Sequence, residues 1–209
     1  AQIQDTEPCI CYAIALALIP VDESRSSEWF ARGYEAFDSG ADRKGALLAA
    51  SGPVLGMNSE YSNFTGRAVW LQRFIEHYSA PLPPLTPAEE VRVHTAALCV
   101  PMLTHEVDPG DSRLVAASER VTALIRDHAD SLSGDELFML ATGLADYSWQ
   151  VGLTQFKRVD ALMRPHARRR DVRPLVRLRW LWLLAAIYRY FGDYESSGRH
   201  WDEAWAIAD

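Results

Sequence analysis

The sequence of residues 178–209 predicts one helix–turn–helix unit of a tetratricopeptide-like repeat, and this unit constrains the fold of everything that precedes it. Apolar residues recur at helical spacing in the runs 178–191 and 193–208, and the Phe-Gly-Asp turn at 191–193 separates them. Two helices of this length cannot bury their own apolar faces. Further helices must therefore stack on them, and we expect a helical array whose surfaces serve for binding.

Composition and charge exclude several classes of protein. At 209 residues, of which 48% are hydrophobic and 23% charged, the chain suits one globular core or a short solenoid rather than a disordered segment. A net charge of −7 argues against general nucleic-acid binding, which needs excess positive charge to match phosphate. The basic residues are 19 Arg and 2 Lys, which reflects either selection for forked guanidinium contacts or a GC-rich genome.

Targeting and redox signals favour a cytoplasmic protein. The apolar run at residues 9–19 is too short to span a bilayer and follows acidic rather than basic residues, so we expect a core helix. No membrane contact is expected. Three cysteines, an odd number without a second cluster, fit a reducing compartment better than a disulfide framework.

Helical periodicity, interrupted by capping and turn residues, covers almost the whole chain and predicts an all-α fold. Asp22, Asp42 and Asp111 are predicted N-caps, Gly40 is predicted to end a helix, and the run that starts at Ser133 is predicted to open one. The predicted helices are 9–19, 23–38, 42–57, 61–78, 86–105, 112–130, 134–149, 152–166, 173–191 and 193–208.

Taken in pairs, these segments give about five helical hairpins, which predicts a tetratricopeptide-like superhelix. The turn glycines Gly110, Gly152 and Gly192 are 42 and 40 residues apart, a longer period than that of the strict tetratricopeptide repeat. The rhythm breaks at residues 79–87, a proline-rich connection that cannot be helical until Pro87 takes a first-turn position. We expect a stiff elbow there, within a single domain over residues 1–209.

The chain lacks the motifs of common catalytic sites. No phosphate loop, nucleophile elbow, His-Glu-x-x-His helix or paired Cys-x-x-Cys motif is present, so we expect no enzyme, no cofactor and no metal. Cys9 and Cys11 point to nearly opposite sides of a helix, which favours buried thiols over a metal pair. The His and acidic clusters at 105–111 and 200–203 are either weak metal or acid–base sites or, as we expect, solvated surface.

Positive charge concentrates between residues 157 and 179. Nine basic residues lie there against two acidic ones, a local charge of +7 in a chain of net −7. Either these cations complement the carboxyl end of a helix, or they form an anion-binding or acidic-partner site. In the second case Arg173 and Arg177, one turn apart, are predicted to converge on one phosphate or carboxylate, with Arg169 and Arg170 as further binding residues.

Aromatic residues concentrate in the last two hairpins. Most of them are predicted to be hairpin core, because residues 181–187 are apolar on all sides of a helix. One or two are instead expected to line a groove and stack on a flat ligand or a sugar ring. Trp149 and Trp180 are the predicted binding residues of this kind.

Three stretches, CYAIALALIPVD (11–22), WFARGYEAF (29–37) and GALLAA (45–50), resemble the helical-repeat region of large bacterial transcription regulators of the MalT-type, LuxR-family and related groups. The similarity continues through residues 60–64 and ends in the hairpin turn at 192–195. Such regulators join a DNA-binding domain, and often a signal-transducing ATPase, to an α-superhelical sensor. The resemblance implies a sensor segment with no direct nucleic-acid contact, and DNA-binding or ATPase domains elsewhere in a parent protein.

The chain has no initiator Met and ends at residues 205–209 without a glycine cap, so we expect a segment of a larger protein. The leading hypothesis is a non-catalytic regulatory sensor of a bacterial signalling or transcription protein. It would bind a small-molecule effector or a protein partner on its concave face and so shift the packing of its hairpins. The contrasting hypothesis is a passive scaffold that holds a peptide or helix.

Overall fold

A computed structural model describes residues 7–18, 22–60, 66–104 and 107–208, and within these ranges the chain is helical and contains no strand. The prediction of an all-α fold is confirmed. The helices are α1 (Pro8–Leu18), α2 (Glu23–Ser39), α3 (Arg43–Glu60), α4 (Arg67–Ser79), α5 (Pro87–Leu103), α6 (Ser112–His128), α7 (Gly134–Val151), α8 (Leu153–Met163), α9 (Pro174–Tyr190) and α10 (Tyr194–Ala208).

Helix limits agree with the sequence prediction to within a few residues, with two differences. Helix α8 ends at Met163, and the last residues of its predicted span, Arg164–His166, form a 3-10 turn. Helix α4 begins at Arg67, after a predicted start at residue 61. Residues 19, 61–65 and 105, which the predicted helices also included, lie outside the described ranges.

Side-chain caps fix several helix starts where the sequence predicted them. Asp22 Oδ1 accepts a hydrogen bond from the amide three residues on, at 3.1 Å. Asp42 and Asp111 cap α3 and α6 through backbone amides at 3.0 and 2.8 Å. Ser133 opens α7 with a reciprocal capping box, in which its own amide donates to Glu136 at 2.9 Å. Local chemistry thus determines where these helices begin.

The end of α2 carries backbone strain that the sequence did not predict. Gly40 ends the helix with an ordinary φ of −81°, whereas the next residue, Ala41, takes the left-handed conformation with a φ of +56°. The amide of Asp42 then reaches back to the Phe37 carbonyl at 2.9 Å, which closes a Schellman turn. The same turn after α9 has Gly192 at its left-handed position, with a φ of +80° and no Cβ to strain.

The first compact unit, residues Ala1–Leu103, is organised around α3, which packs against α1, α2, α4 and α5. Phe30 is fully buried against Gly52 of α3, where an added Cβ would overlap the ring. The elbow predicted at residues 79–87 lies inside this unit. Residues 81–86 are not helical, and α5 begins at Pro87 as predicted.

The second compact unit, Thr104–Asp209, is organised around α7, which packs against α6, α8 and α9, while α10 packs on α9. Fully buried side chains from α6, α7 and α8 fill its core, among them Leu124, Phe138, Leu144, Phe156 and Met163. The single domain over residues 1–209 stays a prediction.

Candidate functional site

The loop at residues 167–173, which we call the arginine-rich loop, holds the densest part of the predicted anion site. Arg169 is engaged on every edge of its guanidinium group. It donates to the carbonyls of Ala129 and Leu132 at 2.6 and 3.0 Å, and to both oxygens of Asp171 at 2.9 and 2.6 Å. These bonds tie the turn that follows α6 to the loop that precedes α9. Arg169 therefore acts as a structural clamp.

Asp171 completes this clamp at the start of α7. Its Oδ2 accepts a hydrogen bond from the amide of Gly134 at 2.8 Å, where the helix dipole also favours negative charge. The paired Arg169 guanidinium and the Gly134 amide hold the pKa of the Asp171 carboxyl well below its usual range. The loop thus supplies its own counter-ion for the predicted arginine cluster.

The other predicted arginines are not gathered around an open site. Arg173 donates from its backbone amide and from Nε to Asp135 of α7, with 2.9 Å for the amide contact. Arg177 donates to the Arg169 carbonyl, and its Nε is buried without a hydrogen-bond partner. Arg170 is exposed. Two of the arginines predicted to bind an anion together thus contact different protein groups, and the anion site stays a prediction.

The two predicted ligand-facing tryptophans differ in exposure. Trp180 is 3% exposed and packs edge-to-face on Phe138, with 6.1 Å between ring centroids, so it belongs to the core between α7 and α9. Trp149 is half-buried at the end of α7, where its ring meets Tyr190 edge-to-face at 5.3 Å. The assignment of Trp149 and Trp180 as ligand-binding residues stays a prediction.

Exposed aromatic side chains instead line one side of the α9–α10 hairpin. On α9 the residues Trp182 and Arg189 share a side at seven-residue spacing, and the Arg189 guanidinium lies 6.0 Å from the Tyr194 ring centroid at the start of α10. That contact places the stripe of α9 beside a second stripe on α10. We call this surface the outer face; its residues are Trp182, Ala186, Arg189, Tyr194, Gly198, Trp201 and Trp205.

The outer face exposes four large aromatic rings beside the Arg189 guanidinium. Tyr194 and Trp205 are 67% and 65% exposed, and Trp182 and Trp201 are 39% and 37% exposed. Sequence analysis placed most of these rings in the hairpin core. The difference arises because α10 packs on α9 through small residues, Ser197 and Ala204, which are 4% and 6% exposed. The spacing of Tyr194, Trp201 and Trp205, seven and four residues, fits this second stripe, but Trp201 is also three or four residues from the buried Ser197 and Ala204.

A polar cluster lies between α8, α9 and α10. Tyr188 donates a hydrogen bond to Asp160 Oδ2 at 2.7 Å, and its ring stacks on His200 at 5.6 Å between centroids. Burial and the Asp160 carboxylate raise the pKa of Tyr188. Burial also lowers the pKa of His200, and its Nδ1 is buried without a hydrogen-bond partner. Asp202 and Glu203, the acidic residues noted beside His200 in the sequence, are exposed.

The cysteines and the acidic clusters are the remaining candidate site residues from the sequence. Cys9 is exposed, contrary to the expectation of a buried thiol, whereas Cys11 and Cys99 are buried. In the described part of the chain, no group of three or more His, Cys, Asp or Glu side chains is arranged to hold a metal ion. Residues 105 and 106 of the predicted acidic cluster lie outside that part. Across the same ranges, no helix combines the length and the apolar character needed to cross a bilayer.

Comparisons with models of protein families, with curated proteins and with solved structures gave no match for this chain.

Proposed function

We propose that this chain is a non-catalytic helical-repeat module of a regulatory protein and that it works by docking protein on the outer face of the α9–α10 hairpin. The observation that carries the proposal is the exposure of four aromatic rings on one side of that hairpin. The largest exposed apolar patch on a protein of this kind is often an interaction site. Tryptophan and tyrosine are also the residues enriched at the centres of protein interfaces.

The proposed architecture is a tetratricopeptide-like superhelix of about five hairpins. Supporting it, helices that follow one another in the chain pack together in α1–α2, α2–α3, α6–α7, α7–α8 and α9–α10. A terminal hairpin of such an array needs a polar outer side to remain uncovered, and the aromatic outer face instead has the composition of a surface that is covered by a partner. The resemblance to bacterial transcription regulators adds the proposed context, a cytoplasmic signalling or transcription protein with DNA-binding or ATPase domains elsewhere.

A small-molecule sensor is a second candidate function, favoured by the polar cluster of Tyr188, Asp160 and His200. A buried imidazole nitrogen without a hydrogen-bond partner is costly in a folded protein. An effector that supplied the missing partner would bind the packed form of α8, α9 and α10 more tightly than a loosened one. In a sensor, binding of the effector changes the packing of the hairpins, whereas a passive scaffold binds its partner without a change in that packing.

Photo-crosslinking in the cells that express the protein tests the docking function. A benzophenone side chain at position 205 lies on the outer face, and the same group at position 206 is the matched control, because adjacent residues of a helix point about 100° apart. We expect a covalent protein adduct, identified by mass spectrometry, from position 205 and little from position 206. Equal yields at the two positions, or none at position 205, contradict docking on the outer face.

The sensor is tested by thermal unfolding of the purified chain with a panel of metabolites. A ligand at a hundred times its Kd stabilises the native state by about 2.7 kcal/mol, which is a clear rise in Tm. We expect the His200→Phe variant, which keeps the stacked ring and removes the nitrogens, to lose that rise. A metabolite that stabilises both proteins equally binds elsewhere, and no effect from any metabolite favours the scaffold.

A further inference from the structure

The outer face has a ridge and a groove that run across the hairpin. The contact of Arg189 with Tyr194 sets the register of the two antiparallel helices. Seven residues from that contact on each helix, Trp182 and Trp201 lie at one level and form a ridge. Three or four residues from it, Ala186 and Gly198 lie at another level and form a groove. Ridge and groove are about 5–6 Å apart, one turn of helix.

Gly198 is not required by close packing within its own chain. An added Cβ at this position would meet no atom within 4 Å, and its φ is not in the left-handed region. Glycine is unfavourable inside a helix relative to alanine, because it loses more backbone freedom on folding. In the first unit, by contrast, Gly52 is required by the Phe30 ring packed on it. The open space over Gly198 leaves room for a side chain from outside the chain.

The exposed aromatic rings supply a substantial part of the area that a stable dimer buries. The four aromatic rings are between 37% and 67% exposed, which leaves on the order of 400 Å² of ring surface at ~150–250 Å² per aromatic side chain. A standard interface buries about 800 Å² on each partner. The rings alone therefore supply about half of one side of such an interface.

We propose that a second copy of this chain occupies the outer face, related to the first by a two-fold axis that crosses both helices between the ridge and the groove. This inference rests on the proposed docking function and names its partner. The axis places Trp201 of each copy over Gly198 of the other, and Trp182 of each over Ala186 of the other. Trp205 of each then meets Tyr194 of the other.

A two-fold axis matches this face to itself, because in an isologous interface the ridge of each copy packs into the groove of an identical surface. The four helices of the dimer then pack as two antiparallel hairpins, as the helices of a four-helix bundle do. At the rim, Glu195 and Asp202 of the two copies approach one another, and each chain carries a net charge of −7. Arg199 lies between these two carboxylates on the same side of α10, and exposed rim charges contribute little compared with buried rings.

Exchange of knob and hole tests the register. Sedimentation equilibrium of the 209-residue chain should show a monomer–dimer equilibrium. Gly198→Trp sets two indoles against each other, and Trp201→Gly leaves a cavity, so we expect each to raise the dimer Kd at least about tenfold. The double variant Gly198→Trp/Trp201→Gly moves the knob to the former hole and should return the Kd to within about threefold of the original. Coupling of this kind is expected only between residues in contact.

The controls separate dimer loss from misfolding and from failure of the docking function. Ala206→Trp adds an indole to the same helix, but off the outer face, and should leave the dimer Kd unchanged. If circular dichroism shows that Gly198→Trp has lost helix, Gly198→Leu takes its place as the variant that fills the groove. A strictly monomeric chain, or single variants without effect, or a double variant that stays monomeric, overturns the inference. A monomer that still crosslinks from position 205 to a different protein retains the docking function, whereas a monomer without any adduct ends both.

Discussion

The arginine-rich loop and the outer face lie in the same compact unit, and they differ in what their side chains already contact. Arg169 and Asp171 satisfy each other and the backbone of two neighbouring helix ends. Trp205 and Tyr194, only about 30 residues further along the chain, leave two thirds of their surface in solvent. The loop therefore contributes to stability, and the outer face is available for association.

This difference shows that density of one residue type is a poor guide to a binding site. A cluster of arginines can bind an anion only when carboxylates and carbonyls of the same chain do not already occupy the guanidinium groups. An aromatic stripe is available to a partner only when small residues, as in α10, already provide the contact within the chain. The following predictions, from the largest expected effect to the smallest, break or sharpen this contrast.

The contrast is sharpest between two tryptophans. Trp180→Ala should lower the free energy of unfolding by about 3–5 kcal/mol, because a fully buried ring is replaced by a cavity. Trp205→Ala should change it by less than about 0.5 kcal/mol, because the ring is exposed. Urea unfolding in dilute protein, where association does not contribute, measures both. Equal losses would show that Trp205 is part of the core.

Two neighbouring arginines give the next largest difference. Arg169→Ala leaves the carbonyls of the buried residues Ala129 and Leu132 without their donor and should lower the free energy of unfolding by about 2–3 kcal/mol. Arg169→Lys should recover little of this, because one ammonium group cannot reach both carbonyls and the Asp171 carboxylate. The exposed Arg170→Ala is the matched control, with a change below about 0.5 kcal/mol. If Arg169→Ala is as stable as the control, the loop is free for an anion after all.

A smaller effect is expected from pH at the inner side of α10. The folded pKa of His200 is lowered by burial, so below pH ~6.5 the unfolded chain takes up a proton that the folded chain resists. The contribution of His200 is thus complete above the unfolded pKa and declines as the pH falls toward the folded one. Urea midpoints between pH 8 and pH 5 should fall less steeply in His200→Gln than in the original chain. Parallel curves would place His200 in solvent, and α10 would then not be packed as described.

The smallest effect belongs to Asp171, because its carboxylate is exposed. Its pKa is depressed by Arg169 and the Gly134 amide, so its contribution is present above pH ~4 and declines as the pH falls toward the folded value. Asp171→Asn keeps the shape and removes the titration. As the pH falls below ~4, the free energy of unfolding should therefore decline more steeply in the original chain than in the variant. A variant with the original acid dependence would show that the clamp does not depend on charge.

Helices and caps could be predicted from sequence because they depend on neighbours within a few residues. Asp22, Asp111 and Ser133 cap amides that lie two or three positions away, so the local sequence is enough to predict these caps. The clamp of Arg169 could not be predicted, since its carbonyl partners lie 40 and 37 residues earlier in the chain. The orientation of Trp201 was also hidden, because its spacing fits either the buried or the exposed stripe of α10 until α9 is in place.

Hydroxyl-radical footprinting of the chain over a range of protein concentrations tests the central claim, that the outer face is open in the single chain and closed by association. In dilute protein Trp205 and Tyr194 should be oxidised rapidly and Trp180 hardly at all. At high concentration Trp205, Tyr194 and Trp201 should become protected while Arg170 and its neighbours in the arginine-rich loop keep their reactivity. Rates that stay the same at every concentration, or protection centred on the arginine-rich loop, would contradict it.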